Sequence, residues 1–220
     1  MNYTNDEKLL IKMLLKAKEL TRLPDTCPKE ERRRSLKQAI NIYQESLRIS
    51  EGRMELLDTI AYSYIQLENV TDSQAERKEY LEQAIIWTRK AVEKSPDIAR
   101  LHALLGYLYH VARLDYQETA KEYRIAIALA PCDATIYIGG AHILYGPPES
   151  PVTLQEAIEW VERAVQLAPD NADYLAYLGR LYSKGGRSQD AVKTWISALI
   201  SYRPLQKGFF QEIQDSLGIE

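Results

Sequence analysis

Apolar positions along this chain recur at helical spacing, and the helical stripes themselves recur. From Ala172 the chain carries Leu175, Leu178-Gly179 and Tyr182 on one stripe, then Ala191, Trp195 and Ala198 on a second, with Pro204 closing the segment. Spacings of three and four residues put side chains on one face of an α-helix, so this stretch predicts two amphipathic helices joined by a turn at Gly185-Gly186. The same order stands upstream. Leu105-Gly106, Tyr109, Tyr123, Ala126 and Pro131 fill it once, with Thr119 in place of the first alanine; Tyr137, Ala141, Leu144, Ala157, Val161, Ala164 and Pro169 fill it again, with Gly146-Pro147-Pro148-Glu149-Ser150-Pro151 enlarging the internal turn.

The N-terminal half keeps the pattern in a stretched form. Leu57, Ala61 and Tyr64 predict a first helix and Ala84, Ala91 and Pro96 its partner, separated by a polar insertion from Gln66 to Tyr80. Within it Ser73 precedes Glu76 by three residues, a capping-box spacing that starts a long second helix. Before that, Leu10, Leu14 and Ala17 stripe residues 6–20, and Ala39 and Tyr43 mark a partner helix that ends at Glu51 where a proline would stand; a further insertion covers 21–34. After Pro204, Phe209, Ile213 and Leu217 form one stripe of a short helix with Gln211, Glu212 and Asp215 towards water. Small residues at Gly106, Ala141, Gly179, Ala126, Ala164 and Ala198 permit close helix approach, where larger ones would overpack. Pro96, Pro131 and Pro169 lack the amide hydrogen a continuing helix needs, and Asp97, Asp133 and Asp170-Asn171 supply caps for the helix that follows.

These residues resemble the tetratricopeptide repeat: a bulky residue, Leu-Gly and an aromatic on one helix, then Ala, an aromatic, Ala and a closing Pro on the next. The resemblance implies an all-α fold, a right-handed α-solenoid of about five such hairpins, because a lone hairpin cannot bury its apolar stripe and stacking makes one core. The repeats fall near 6–51, 52–97, 98–132, 133–170 and 171–205, in one superhelical domain over 1–205, with 206–220 as a C-terminal capping helix. It also implies a role in protein binding: an adaptor or scaffold that holds a peptide or helical segment of another protein in a concave groove lined by first helices. Carried over slot by slot, the groove residues are Tyr62, Arg100, Tyr107, His110, Ile138, His142, Tyr145, Arg180 and Lys184. Family members that serve heat-shock chaperones place Lys and Asn at two of these slots as a carboxylate clamp. Here the slots hold Asp58 and Tyr62, Ala103 and Tyr107, Ile138 and His142, or Ala176 and Arg180, so chaperone tails are not the expected ligand. A self-associating scaffold, using its edges or the insertion at 66–80, is the alternative.

Composition narrows the remaining classes. With 45% hydrophobic and 27% charged residues the chain has the mixture of a folded globular protein, and the opening Met1–Glu7 segment is too polar for a secretory signal. No apolar run is long enough to span a bilayer, so no membrane insertion is expected. Lys plus Arg number 28 against 31 Asp plus Glu, which leaves no basic field for RNA or other nucleic acid. The two cysteines, Cys27 and Cys132, are far apart and unpaired by spacing, as suits a cytoplasmic protein. Among the three histidines, His102 occupies a slot that packs between helices, and His110 and His142 have no third ligand placed beside them. There is no phosphate loop, HExxH, cysteine–histidine metal spacing or nucleophile elbow, so neither an enzyme nor a cofactor is expected.

Overall fold

The computed structural model describes residues 4–24, 26–50, 53–146 and 149–202. Among them the chain forms ten α-helices that pack as sequential hairpins, gathered into two compact units, Met1–Ala112 and Arg113–Glu220. The capping helix expected at 206–220 lies outside the described residues.

The first unit holds α1 (Asn5–Thr21), α2 (Lys29–Ile49), α3 (Met54–Asn69), α4 (Gln74–Lys94) and α5 (Ala99–Ala112), each packed on the next. Ala17, Ala39, Tyr43, Leu56 and Ile60 make one buried cluster, and Leu57, Ala91 and Leu101 continue it. The second unit holds α6 (Tyr116–Leu129), α7 (Ala134–Ala141), a 3-10 turn at His142–Tyr145, α8 (Leu154–Leu167), α9 (Ala172–Lys184) and α10 (Ser188–Tyr202). There too each α-helix packs on its successor. Ala126, Ala141 and Ala164, expected as small contacts, are fully buried.

The repeat is visible in the backbone. Ser95, Ala130 and Ala168, the residues before Pro96, Pro131 and Pro169, end α4, α6 and α8 with nearly the same dihedrals: φ/ψ of −144/76°, −134/69° and −140/72°. A proline ring forbids the α conformation to the residue before it, so the sequence stops the helix at the same point each time. Asp133 then caps α7, accepting the Thr135 amide at 3.0 Å, and Asn171 caps α9, accepting the amides of Asp173 and Tyr174 at 3.1 Å. Two side chains six residues past their proline tie back to it. His102 Nε2 lies 2.9 Å from the Pro96 carbonyl, and the Tyr137 hydroxyl donates to that of Pro131 at 3.2 Å. His102 is buried, as its slot predicts.

A second repeat-spaced contact fixes the first-helix aromatics. Tyr64, Tyr109 and Tyr182 each meet a polar side chain twenty residues earlier on the preceding second helix. Gln44 donates to the Tyr64 hydroxyl at 3.4 Å, Arg89 Nε to that of Tyr109 at 2.6 Å, and the Tyr182 hydroxyl donates to Glu162 at 2.7 Å. A buried phenol needs such a partner, and these hydrogen bonds hold each aromatic in the seam between hairpins.

The two insertions are not loops. The stretch at 21–34 becomes a short connection and the first turns of α2, and that at 66–80 becomes the last turn of α3, a brief turn and the start of α4. Both α2 and α4 therefore run to 21 residues, and their extra turns pack together. Leu36, Ile40, Leu67, Val70 and Tyr80 form one buried cluster. Around it Arg33 pairs with Glu76, Lys29 Nζ lies 2.7 Å from Asp72, and Arg77 Nε donates to Glu68 at 2.7 Å. Glu68 is buried, and without Arg77 its charge would stand uncompensated. The exposed Lys29–Asp72 pair contributes little. Ser73 caps α4 as its spacing predicts, although the Glu76 amide is 3.5 Å away.

Candidate functional site

In the first unit, α3 and α5 present the residues carried over from the repeat pattern. Arg100 Nη1 and Nη2 reach the two oxygens of Asp58 at 2.9 and 2.7 Å, a bidentate fork that joins these two first helices across one face. Arg100 is thereby neutralised by a carboxylate of its own chain. Tyr62, one turn beyond Asp58, and Tyr107, on α5, are 57% and 46% exposed, and His110 is half-buried. The face is aromatic and close to neutral.

The second unit shows different chemistry, set by an irregularity in α7. Gly139 and Gly140 weaken the α-helix, and the prolines after Gly146 cannot continue it. The α-helix stops at Ala141, the His142 amide bonds to the Ile138 and Gly140 carbonyls, and the chain tightens into the 3-10 turn of 142–145. In a 3-10 turn residues three apart lie one above the other, so His142 and Tyr145 share an edge. Both face Tyr177 of α9. The His142 ring stacks on Tyr177 with centroids 4.7 Å apart and planes 11° from parallel, and Tyr145 lies 6.3 Å away at 43°. Arg180 sits 5.5 Å from the Tyr177 centroid, and Lys184 Nζ lies 4.7 Å from that of Tyr145. Cations over rings in this way are worth about 0.5–1 kcal/mol at exposed sites.

His142, Tyr145, Arg180 and Lys184 are exposed, and Ile138 is half-buried one turn before them. Tyr177 is buried, its hydroxyl has no hydrogen-bond partner, and burial pushes the phenol far above its usual range. The nearby Tyr145 hydroxyl raises it further, and Arg180 lowers it partway. It stays a neutral donor at every ordinary pH. The repeat pattern passed over Tyr177, which lies outside the slots carried over to the groove. The signal available in the sequence was its polarity: a tyrosine in a packing slot needs a partner for its hydroxyl.

Open depressions lie elsewhere. One of about 560 Å³ runs over the start of α2, lined by Glu30, Glu31, Arg33 and Arg34 among others, and one of about 300 Å³ lies at Gly186–Asp190. Both mix acidic and basic residues, and neither is lined by an aliphatic or aromatic residue. Among the described residues no cluster of three or more His, Cys, Asp or Glu could hold a metal, and no helix is long and apolar enough to cross a membrane.

No protein-family model matches the sequence, and no curated protein matches it. Solved structures do. The double mutant of MamA RS-1 superposes with a TM-score of 0.70 at 16% identity, over 94% of this chain and 99% of that one. MamA 41-end from Desulfovibrio magneticus RS-1 gives 0.68 at 17% identity over 92% and 98%, and another crystal structure of MamA gives 0.64 at 21% over 84% and 99%. MamA is a tetratricopeptide-repeat protein. The chain has the tetratricopeptide-repeat fold. At these identities the likeness carries the architecture alone: Tyr62 and Tyr107 stand on α3 and α5, and Tyr145 on the 3-10 turn after α7.

Proposed function

We propose that this tetratricopeptide-fold chain is a non-catalytic adaptor that binds a segment of another protein on its first-helix faces. The observation that carries the reading is a division among its tyrosines. Tyr64, Tyr109 and Tyr182 are tied by hydrogen bonds into the seams between hairpins, whereas Tyr62 and Tyr107 on first helices, and Tyr145 on the 3-10 turn that follows α7, are 57%, 46% and 52% exposed. Exposed tyrosines in such positions offer large contact area with few rotors to immobilise, the composition of protein-binding hot spots. Affinities on the order of micromolar suit a transient adaptor. The free thiols of Cys27 and Cys132 fit a reducing, cytoplasmic setting.

The test is capture of a partner from native lysate, followed by direct binding of that partner to the native chain and to Tyr107→Ala and Tyr145→Ala variants of unchanged helicity. Loss of binding in either variant supports the reading. Equal binding by all three chains removes it.

A second reading, self-association through an edge, rests on Leu9, Ile11 and Leu15, which stand exposed on α1. It expects a mass in solution scattering that grows with concentration and falls back to the monomer with Leu15→Glu. A constant monomeric mass discards it.

A further inference from the structure

We infer that the face formed by the 142–145 turn and α9 recognises an acidic segment of the partner, with carboxylates at alternate residues of an extended chain. This rests on the protein-binding reading and adds the chemistry of the ligand. On a chain of net charge −3, Arg180 and Lys184 are two cations one helical turn apart on an exposed face. Among the described residues neither pairs with a carboxylate; both are held over aromatic rings instead, Arg180 over Tyr177 and Lys184 over Tyr145. The contrast is Arg100 in the first unit, whose fork is already filled by Asp58. A cation steered by a ring keeps its hydrogen-bond donors for a ligand, while its orientation is settled before the ligand arrives.

Spacing adds to charge. Residues four apart on a helix have Cβ atoms about 6 Å apart. In an extended segment the side chains on one side recur every second residue, about 6.6 Å apart. Two acids separated by one residue therefore match Arg180 and Lys184 in register. The exposed Tyr145 ring and the His142 ring give the intervening chain an aromatic floor. The Tyr177 hydroxyl is buried and takes no part in this recognition; its ring serves to hold Arg180.

The experiment screens a displayed library of random short peptides, with blocked C-termini, against the full chain and against an Arg180→Gln/Lys184→Gln variant whose melting curve matches the native one. Enrichment of acid-x-acid sequences on the native chain, with binding about tenfold weaker on the variant, is the expected result. An Arg180→Glu/Lys184→Glu chain should instead select basic sequences. Enriched peptides without acids, or acidic peptides bound equally by the Gln variant, would overturn the inference while leaving the adaptor reading intact. If no peptide is enriched on either chain, the adaptor reading falls and takes this inference with it. Single-stranded RNA bound more tightly than the best peptide, and lost in the Gln variant, would make the pair a phosphate reader and overturn it as well.

Discussion

Gly179 of α9 has no room for a methyl group: a Cβ built there would meet the Trp195 ring of α10. The close approach of these two helices depends on that missing atom, so Gly179→Ala should destabilise the second unit by about 1–3 kcal/mol, read from urea midpoints. Gly186 is needed for a different reason. It closes α9 with φ of 75°, in a Schellman arrangement where the Arg187 amide bonds to the Tyr182 carbonyl at 2.9 Å. Gly186→Ala has open space around it and should still cost about 1–2 kcal/mol from backbone strain alone. Tyr182 itself supplies a pH dependence. Burial, and then its hydrogen bond to Glu162, push its phenol up to about 12. The unfolded chain gives up that proton near pH 10, so the contribution of Tyr182 is complete below about 10 and drains away as pH rises through about 12. Denaturation midpoints should fall across that window. Tyr182→Phe should flatten the fall without removing it, because burial raises Tyr43, Tyr64 and Tyr177 too.

Caps and insertions govern the elements. Asp115 accepts the amides of Gln117 and Glu118 at 2.8 and 3.0 Å, so Asp115→Ala should cost about 1 kcal/mol of unfolding free energy; Ser73→Ala, with its contact stretched to 3.5 Å, should cost less. A sharper test concerns the paired extensions of α2 and α4. Leu36 and Tyr80 lie in one buried cluster, so a Leu36→Ala/Tyr80→Ala cycle should show a coupling of about 0.5–3 kcal/mol in chemical denaturation; additivity would separate the two insertions. The hairpins themselves were legible in the sequence, because Gly179, Ala141, Ala164 and the prolines at 96, 131 and 169 are local requirements repeated at fixed spacing. Of the insertions, the cap at Ser73 and the long helix it starts were legible, and the packing of the two insertions on each other was not. Their apolar residues are few and dispersed among charges, and Leu36 acquires its meaning only from Tyr80, far along the chain. The 3-10 turn was hidden likewise. Side-chain slots assume a continuous α-helix through His142, and the tightening that sets His142 and Tyr145 against Tyr177 follows from backbone weakness at Gly139-Gly140.

For the molecule as a whole, charge bounds the choice of partners. Thirty-one acids outweigh 28 Lys and Arg, and Arg33, Arg77, Arg100 and Arg124 are each committed to a carboxylate. Single-stranded RNA should therefore bind weakly even at low salt, and anisotropy titrations should show no steep salt dependence. The shared pre-proline geometry of Ser95, Ala130 and Ala168 has a consequence for how such a chain lengthens. A segment that starts at one of these prolines leaves and re-enters the backbone in nearly the same direction as a segment that starts at another. Genetic duplication of Pro131 to Ala168, spliced in before Pro169, would meet a joint already shaped to receive it. The chain could thus acquire another hairpin, and with it a fresh strip of recognition surface, by copying a length of its own gene and without designing a new junction.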